Sequence, residues 1–249
     1  MYLYIYDSFL SHQKYASPLA AIEHRVTDLD VKGKIARLTI LKNVKELILD
    51  AVKSGVTTIV AVGDDQTFAK IINVIANLNV TLGIIPIDNS SKIARVLGVP
   101  PCELACDVVA SRIIKKLDLG KINDYYFLNA AEITNANISL LSDSYSVMPT
   151  TKLNSIRICN FGWRNDEMIS DPTDGVLEAV ITPIKSTWLS KKSLEPTVLP
   201  FRKIRINATD ETEEVSILTD EQIILKTPAQ VEIAPKKLKI IVGSNRLFD

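Results

Sequence analysis

The sequence predicts an α/β region followed by an all-β region: an N-terminal parallel-sheet domain, then a C-terminal antiparallel β-sandwich. In the first half, apolar strand-like runs alternate with stretches in which apolar residues recur at helical spacing. Two of these runs, at 57–62 and 82–87, are almost wholly apolar, as in strands buried on both faces of a parallel sheet. After residue 116 the pattern changes to short runs separated by turn residues. We therefore expect domains at 1–118 and 119–249, with a cleft between them.

The elements of the first half follow one another as strand, helix, strand, helix. An alternation of this kind favours parallel strands with helices packed on the faces of the sheet. The predicted strands are YLYIY (2–6), KIARLTI (34–40), TTIVAV (57–62) and LGIIPI (82–87). The predicted helices contain 19–29, 44–52, 66–78, 90–99 and 100–116, and Gly55 ends the second of them.

Nine short runs in the second half have strand character, and one further segment, KSTWLSKKS (185–193), has helical character. Many short strands at this spacing are typical of an antiparallel sandwich or barrel. The runs lie at 116–123, 124–133, 137–144, 154–161, 176–183, 201–208, 214–222, 229–235 and 237–243.

Composition excludes several classes of function. The chain has 29 Lys and Arg against 29 Asp and Glu, so it lacks the positive charge typical of a nucleic-acid-binding protein. No stretch reaches the roughly 18 apolar residues of a membrane span, and the N-terminus lacks a signal peptide pattern. Three cysteines in 249 residues do not suggest a disulfide framework. We expect a cytoplasmic protein, with peripheral membrane contact left open.

Glycine is scarce in the two turns that follow the buried strands. The turns read VGDDQT and PIDNSS, and only Gly63 remains in them. A phosphate at a helix N-terminus is held by main-chain N–H groups, and glycine lets the main chain approach it closely. The turns therefore either bind a ligand in an altered way, or their polar residues serve only to begin the following helices.

Two motifs in these turns resemble those of the diacylglycerol kinase-like lipid kinases, relatives of the NAD kinases. VAVGDDQTFAKIIN is similar to V-x-G-G-D-G-T-x-x-x-V-x-N, with Asp64 and Gln66 in place of two glycines. IIPIDNSSKIARVLGVP is similar to I-P-x-G-T-G-N-D-x-A-R-x-L-G-I-P, with the whole loop at 88–92 replaced. The order of elements matches that family over nearly the full length.

The resemblance implies an ATP- and Mg²⁺-dependent kinase acting on a lipid hydroxyl, with nucleotide bound in the cleft. The nucleotide-binding residues that it implies are Gly63, Asp64, Asp65, Thr67, Asn89, Ser90 and Ser91. From the residues alone, Asp65 and Thr67 either contact the nucleotide or cap the helix that follows them.

Four aspartates in the second half are candidates for metal binding or catalysis. By resemblance, Asp118 helps to hold the catalytic Mg²⁺, Asp171 and Asp174 bind a structural Mg²⁺, and Asp220 is the general base. Asp220 stands in TDEQ where the family has D-G-E, with Glu221 and Gln222 replacing the other two residues. From the residues alone, each aspartate is equally compatible with an ordinary turn.

Two hypotheses follow. In the first, the protein is a lipid kinase whose partners are a nucleotide or other small molecule and a lipid at a membrane surface. In the second, it is a pseudokinase that keeps the fold as a binding or scaffolding module. Neither hypothesis involves nucleic acid, and a homo-oligomer is left open.

Overall fold

A computed structural model of the protein describes residues 1–39, 43–134, 137–149, 154–164, 167–183, 195–210, 212–220 and 223–249. The chain divides into two compact units. The first contains residues 1–117 and 236–249, and the second contains residues 118–235. The segment 185–193, for which the sequence predicts a helix, lies outside the described residues.

The first unit alternates strands and helices as the sequence predicts. Its elements are β1 (Tyr2–Tyr6), α1 (Ala16–Asp28), β2 (Gly33–Arg37), α2 (Val44–Lys53), β3 (Thr58–Gly63), α3 (Asp65–Ile75), β4 (Thr81–Pro86), α4 (Lys92–Leu97) and α5 (Leu104–Ser111). Two short 3₁₀ turns, Ser8–Ser11 and Gln13–Tyr15, precede α1. Strand β5 (Ile114–Ile122) begins in the first unit and continues into the second.

Beyond β5, the described regular elements are strands. They are β6 (Tyr125–Phe127), β7 (Ala130–Thr134), β8 (Ile138–Leu141), β9 (Ser146–Val147), β10 (Asn154–Cys159), β11 (Gly162–Arg164), β12 (Glu167–Ser170), β13 (Leu177–Pro183), β14 (Thr197–Phe201), β15 (Lys203–Ala208), β16 (Ser216–Thr219), β17 (Ile223–Lys226) and β18 (Ala229–Ile241).

Parallel strands build the sheet of the first unit, in the order β2-β1-β3-β4-β18. All residues of β3 and β4 are buried, which explains their almost continuous apolar sequences. Helix α3 buries Phe68, Ile71, Ile72 and Ile75, which recur at helical spacing. Because parallel strands end at the same edge, the turns after β3 and β4 are neighbours, with Gly63 opposite Pro86.

In the second unit, antiparallel strands form two large sheets, and β11 and β12 pair separately as a two-stranded sheet. One has the order β14-β13-β10-β7-β16-β17. In the other, β15 pairs with both β18 and β8, and β5 pairs with β6. Alternate side chains of both sheets form a single apolar core, including Ile156, Leu177, Ile206 and Val231. The predicted fold class, a parallel α/β region followed by an antiparallel sandwich, is confirmed.

The structure corrects the assignment of residues 236–249 to the second domain. Strand β18 is 13 residues long, and its last part pairs in parallel with β4 through Lys239 and Ile240. The following residues pack on α4, where Gly243 N–H donates to Leu97 O at 2.8 Å. The sequence treats 229–235 and 237–243 as two runs because Pro235 and two lysines interrupt the apolar pattern.

None of the helices described here combines the length and the apolar character that crossing a membrane requires.

Candidate functional site

The turn after β3 is closed by a capping box at the start of α3. The carboxylate of Asp64 accepts the N–H of Thr67 at 2.9 Å, and the Thr67 hydroxyl accepts the N–H of Asp64 at 3.3 Å. Each side chain therefore occupies a main-chain donor that a bound anion would otherwise use. Gly63 lies against this pair, because a Cβ at Gly63 would stand 2.8 Å from Thr67 Cβ. Its retention is thus explained by packing.

Asp65 caps a different helix, α4. Its Oδ2 accepts the N–H of Lys92 at 2.9 Å and that of Ile93 at 3.4 Å, and its Oδ1 accepts the hydroxyl of Ser91. The Ser91 hydroxyl also accepts the N–H of Ala94 at 2.9 Å, as an N-cap. The first N–H groups of α4 therefore point at an aspartate of the neighbouring turn.

The rest of the second turn closes on itself. Asp88 Oδ1 accepts the N–H of Ser90 at 2.8 Å and also its hydroxyl, which is a local aspartate turn. Asn89 lies exposed between these two residues. Four of the predicted nucleotide-binding residues are thus engaged in helix capping, namely Asp64, Asp65, Thr67 and Ser91.

A nucleotide phosphate does not fit these two helix starts as they stand. A phosphate needs main-chain donors that are unoccupied and a neighbourhood that tolerates negative charge. Here carboxylates of Asp64 and Asp65 already accept those donors. Two negative charges about 5 Å apart at an effective dielectric constant of about 20 repel by roughly 3 kcal/mol. The carboxylates of Asp64 and Asp65 therefore lie where the family motif leaves space for the phosphates of a nucleotide.

Asp7 and Lys70 complete this cluster, and the sequence analysis missed both. Asp7 follows β1 directly, and its Oδ2 lies 3.0 Å from the Thr67 hydroxyl and 3.6 Å from Lys70 Nζ. Desolvation raises the pKa of Asp7, but Lys70 and the hydroxyls of Thr67 and Ser8 outweigh it, so its pKa lies below the ordinary value. A polar residue directly after the first strand of a parallel sheet was the available signal.

Asp118 lies in the second unit and is buried, which excludes a solvated turn. Its Oδ2 accepts the N–H of Gly175 at 2.7 Å, and its own N–H donates to Pro172 O at 2.7 Å. Asp118 therefore holds the loop that carries Asp171 and Asp174. Asp118, on β5, thus contacts the loop that carries the other two predicted metal-binding residues.

The loop at 171–176 has donor atoms suited to a hard cation. Asp171 Oδ1 accepts the N–H of Thr173, and Asp174 Oδ1 accepts the N–H of Val176, which leaves a second oxygen on each carboxylate. Desolvation raises the pKa of Asp174, and the negative charges of Asp171 and Asp118 raise it further. A bound Mg²⁺ would relieve that repulsion, with the Val176 carbonyl as a further ligand. However, no three acidic, histidine or cysteine side chains among the described residues lie close enough together to form a metal site.

Glu178 is a second residue that the sequence analysis missed. It lies on β13, opposite Cys159 of β10, on the face turned away from the apolar core. The side chain is buried, and its Oε2 has no hydrogen-bond partner among the described atoms. Desolvation, and then the charges of Asp174 and Asp171, raise the pKa of Glu178 to about 7. Only its place two residues beyond a conspicuous acidic loop could have drawn attention to it.

The raised pKa of Glu178 predicts a pH-dependent stability. Between its ordinary pKa of 4.5 and about 7, the folded protein binds one proton more than the unfolded chain. The contribution of protonated Glu178 to the free energy of unfolding is therefore fully present below pH 4.5 and is lost as pH rises through 7. It is on the order of 2–3 kcal/mol. Urea unfolding in the presence of EDTA measures the gain in the free energy of unfolding that Glu178→Gln produces. This gain should be larger at pH 8 than at pH 4 by that amount. Parallel stabilities at both pH values would contradict the assignment.

Asp220 is held by main-chain donors of the second unit. Its Oδ2 accepts the N–H of Leu128 at 2.8 Å, and its Oδ1 accepts those of Asn129 and Ala130 at 2.9 and 3.0 Å. The residue is buried and has a φ of 45°, at the tip of the β16–β17 hairpin. Its neighbours in the motif, Glu221 and Gln222, lie outside the described residues. These three main-chain hydrogen bonds tie the Asp220 carboxylate to the chain at 128–130.

Residues 2–122 match the family model of the diacylglycerol kinase catalytic domain. Together with the motifs described above and the relatives described next, this match supports a resemblance of the chain to the diacylglycerol kinase-like lipid kinases. The resemblance predicted from the sequence is thereby confirmed.

Sequence relatives match only part of the chain. A diacylglycerol kinase of Bacillus subtilis (strain 168) is 36% identical over 77 residues, covering 29% of this chain and 25% of the relative. A diacylglycerol kinase of Mycobacterium tuberculosis (strain CDC 1551 / Oshkosh) is 28% identical over 109 residues, covering 43% and 34%. A probable YegS-like lipid kinase of Pseudomonas aeruginosa (strain PAO1) is 28% identical over 89 residues, covering 35% and 30%. The matched segments thus span between 25% and 34% of these relatives' lengths.

The fold itself is shared over almost the whole chain. A crystal structure of a diacylglycerol kinase from Bacillus anthracis str. Sterne superposes with a TM-score of 0.80 at 20% identity. The superposition covers 99% of this chain and 98% of that one. At this identity the likeness concerns the fold alone.

Proposed function

We propose that this protein is a lipid kinase-like pseudokinase: it keeps the family fold as a binding or scaffolding module and does not use ATP. The observation that carries the proposal is the position of Asp64 and Asp65, whose carboxylates accept the N–H groups at the starts of α3 and α4. Two side chains of the protein thereby take the place of a nucleotide's phosphates.

The environment of Asp220 supports the same proposal. A general base must have an oxygen free to approach the hydroxyl of the acceptor molecule. Three main-chain N–H groups already donate to the two oxygens of Asp220. Moving this carboxylate toward a substrate would leave those amides without their acceptor.

A specific observation favours the alternative, an ATP- and Mg²⁺-dependent lipid kinase. The acidic loop with Asp171 and Asp174 is retained and is held in place by Asp118. The residues present are compatible with a hard cation, which in this chemistry would neutralise charge on the phosphates. On this alternative, nucleotide binding requires the carboxylates of Asp64 and Asp65 to leave the helix starts.

The two functions predict different responses to Mg-ATP. A ligand at 100 times its Kd stabilises a protein by about 2.7 kcal/mol, a shift that thermal unfolding readily detects. We expect no shift with 5 mM Mg-ATP, and no phosphorylation of diacylglycerol in mixed micelles. A homologous diacylglycerol kinase serves as the positive control. A saturable shift together with lipid phosphorylation would establish the kinase instead.

The double variant Asp64→Gly/Gln66→Gly restores both family glycines. It tests whether the replacement of these glycines is what prevents nucleotide binding. If the carboxylate of Asp64 excludes nucleotide, Mg-ATP should shift the unfolding temperature of the variant but not of the unaltered protein. The variant Gln66→Gly alone is the matched control, since it carries the same loss of about 1 kcal/mol of helix stability. Equal binding by the unaltered protein would show that the glycine losses are irrelevant.

A further inference from the structure

A groove on the second unit lies apart from all the residues discussed above. It has a volume of about 880 Å³, within the range of small-molecule sites. The groove follows the outer face of the sheet formed by β8, β15 and β18, with Ser139, Arg205 and Gln230 along its floor. Two smaller depressions of about 290 and 300 Å³ share residues with it.

Strand alternation places polar side chains on the floor of this groove. Ile204 and Ile206 of β15 belong to the apolar core, so Arg205 and Asn207 face the other way. Asn207 is paired across the strands with Ser139 of β8. A hydroxyl, a side-chain amide and a guanidinium group therefore lie side by side on adjacent strands.

These three groups make no hydrogen bond or ion pair with any residue that the structure describes. The Oδ1 atom of Asn207 is buried and has no donor among the described atoms. A buried acceptor without a donor costs roughly 1–3 kcal/mol, a penalty that a bound hydroxyl would remove. Arg205 is exposed and offers five N–H donors in a planar fork, an arrangement that suits a carboxylate or phosphate.

The remaining lining sets the chemistry of the ligand. Glu214 forms an exposed ion pair with Lys226, whereas Glu213, at the rim, remains available to accept hydrogen bonds. Asn123, Thr209 and Gln230 add further amide and hydroxyl groups. The groove thus combines one cationic fork with several groups that recognise hydroxyls.

We propose that this groove binds a small hydroxylated molecule that carries one phosphate or carboxylate group. Arg205 binds the anionic group, while Ser139, Asn207 and Glu213 bind the hydroxyls. The same chemistry occurs in a free polyol phosphate and in the glycerol phosphate headgroup of an anionic lipid, so the experiment includes both sources.

Isothermal titration with sn-glycerol 3-phosphate tests the proposal directly. We expect saturable binding at millimolar concentration or below, at least ten times tighter than that of glycerol or of inorganic phosphate. Arg205→Gln should weaken it at least tenfold. Arg202→Gln is the matched control, because Arg202 is an exposed arginine on the same segment that does not line the groove. Equal weakening by both variants would indicate a general charge effect and overturn the proposal.

Asn207→Leu separates a binding role from a structural one. The substitution removes an acceptor that has no donor, so the free energy of unfolding should stay the same or rise. Binding of sn-glycerol 3-phosphate should nevertheless fall at least fivefold. Unchanged binding, or absence of binding to the unaltered protein, would overturn the proposal.

Vesicles distinguish the two sources of the ligand. If the ligand is a lipid headgroup, the protein should cosediment with phosphatidylglycerol vesicles but not with phosphatidylcholine vesicles, and Arg205→Gln should reduce this. If it is a free molecule, sn-glycerol 3-phosphate should bind while neither vesicle does. Cosedimentation that Arg205→Gln leaves unchanged would place membrane binding elsewhere and contradict the headgroup source.

Discussion

Replacing Asp220 by asparagine should lower the free energy of unfolding by about 3 kcal/mol. The substitution removes the negative charge and turns one carboxylate oxygen into an NH₂ group, which cannot accept a hydrogen bond from a main-chain N–H. The N–H groups of Leu128, Asn129 and Ala130 all donate to this carboxylate, and Leu128 and Ala130 are buried. Hydrogen bonds to charged groups contribute about 1.5–3 kcal/mol each, and a buried donor without a partner costs a similar amount.

The choice of asparagine isolates the hydrogen bonds from the backbone. Asp220 has a φ of 45°, a region that asparagine tolerates well, whereas alanine there would add strain. Urea unfolding measures the effect, and Asp143→Ala, which removes an exposed acidic side chain from the same unit, is the control. A loss below 1 kcal/mol would show that the Asp220 carboxylate is not structural and would reopen its assignment as a catalytic base.

The second large effect is expected for Gly63→Ala, at about 2–4 kcal/mol of lost stability. A Cβ at Gly63 would stand 2.8 Å from Thr67 Cβ and 3.0 Å from its Cγ2, closer than side chains pack. Thr67 is fully buried, so it can move only by breaking its capping box with Asp64. The expected loss combines overpacking, typically 1–3 kcal/mol, with loss of the cap, about 1 kcal/mol.

Gly55→Ala is the control for the backbone effect of adding a methyl group. Gly55 has a φ of 88° and no heavy atom within 4 Å of the added Cβ, so only backbone strain of about 1 kcal/mol is expected. Thermal and urea unfolding of both variants give the comparison. If Gly63→Ala were no worse than Gly55→Ala, Gly63 would not be retained for packing against Thr67, and a ligand-related reason would be needed.

Sequence reasoning predicted the order of elements because local patterns specify it. The apolar runs of β3 and β4 and the helical spacing in α3 can be read from short windows, and the helix starts carry capping residues. The partners of the aspartates could not be predicted in this way. Asp65 bonds across 27 residues to Lys92, and Asp220 bonds across about 90 residues to the chain at 128–130. Such contacts depend on which strands are neighbours.

The same limit explains which site residues were missed. Asp7 joins the first cluster only because β1 is adjacent to β3 in the sheet. The paired residues of these two strands are 56 positions apart in the sequence. Glu178 carries a raised pKa because β13 places it opposite a buried residue of β10. In the sequence, Asp7 is only a polar residue after a strand and Glu178 only an acid within one. Neither position indicates which side chains surround the residue in the fold.

Because β18 ends in the first unit, the second unit is an insertion within the first. During synthesis, residues 118–235 can complete their own core before the ribosome has made the strand that lies beside β4. Until residues 236–249 have been made, the edge of β4 that pairs with β18 lacks its partner strand. A truncated gene ending at residue 117 is consequently a poor source of the first unit, whereas one that rejoins 236–249 by a short linker restores its missing strand.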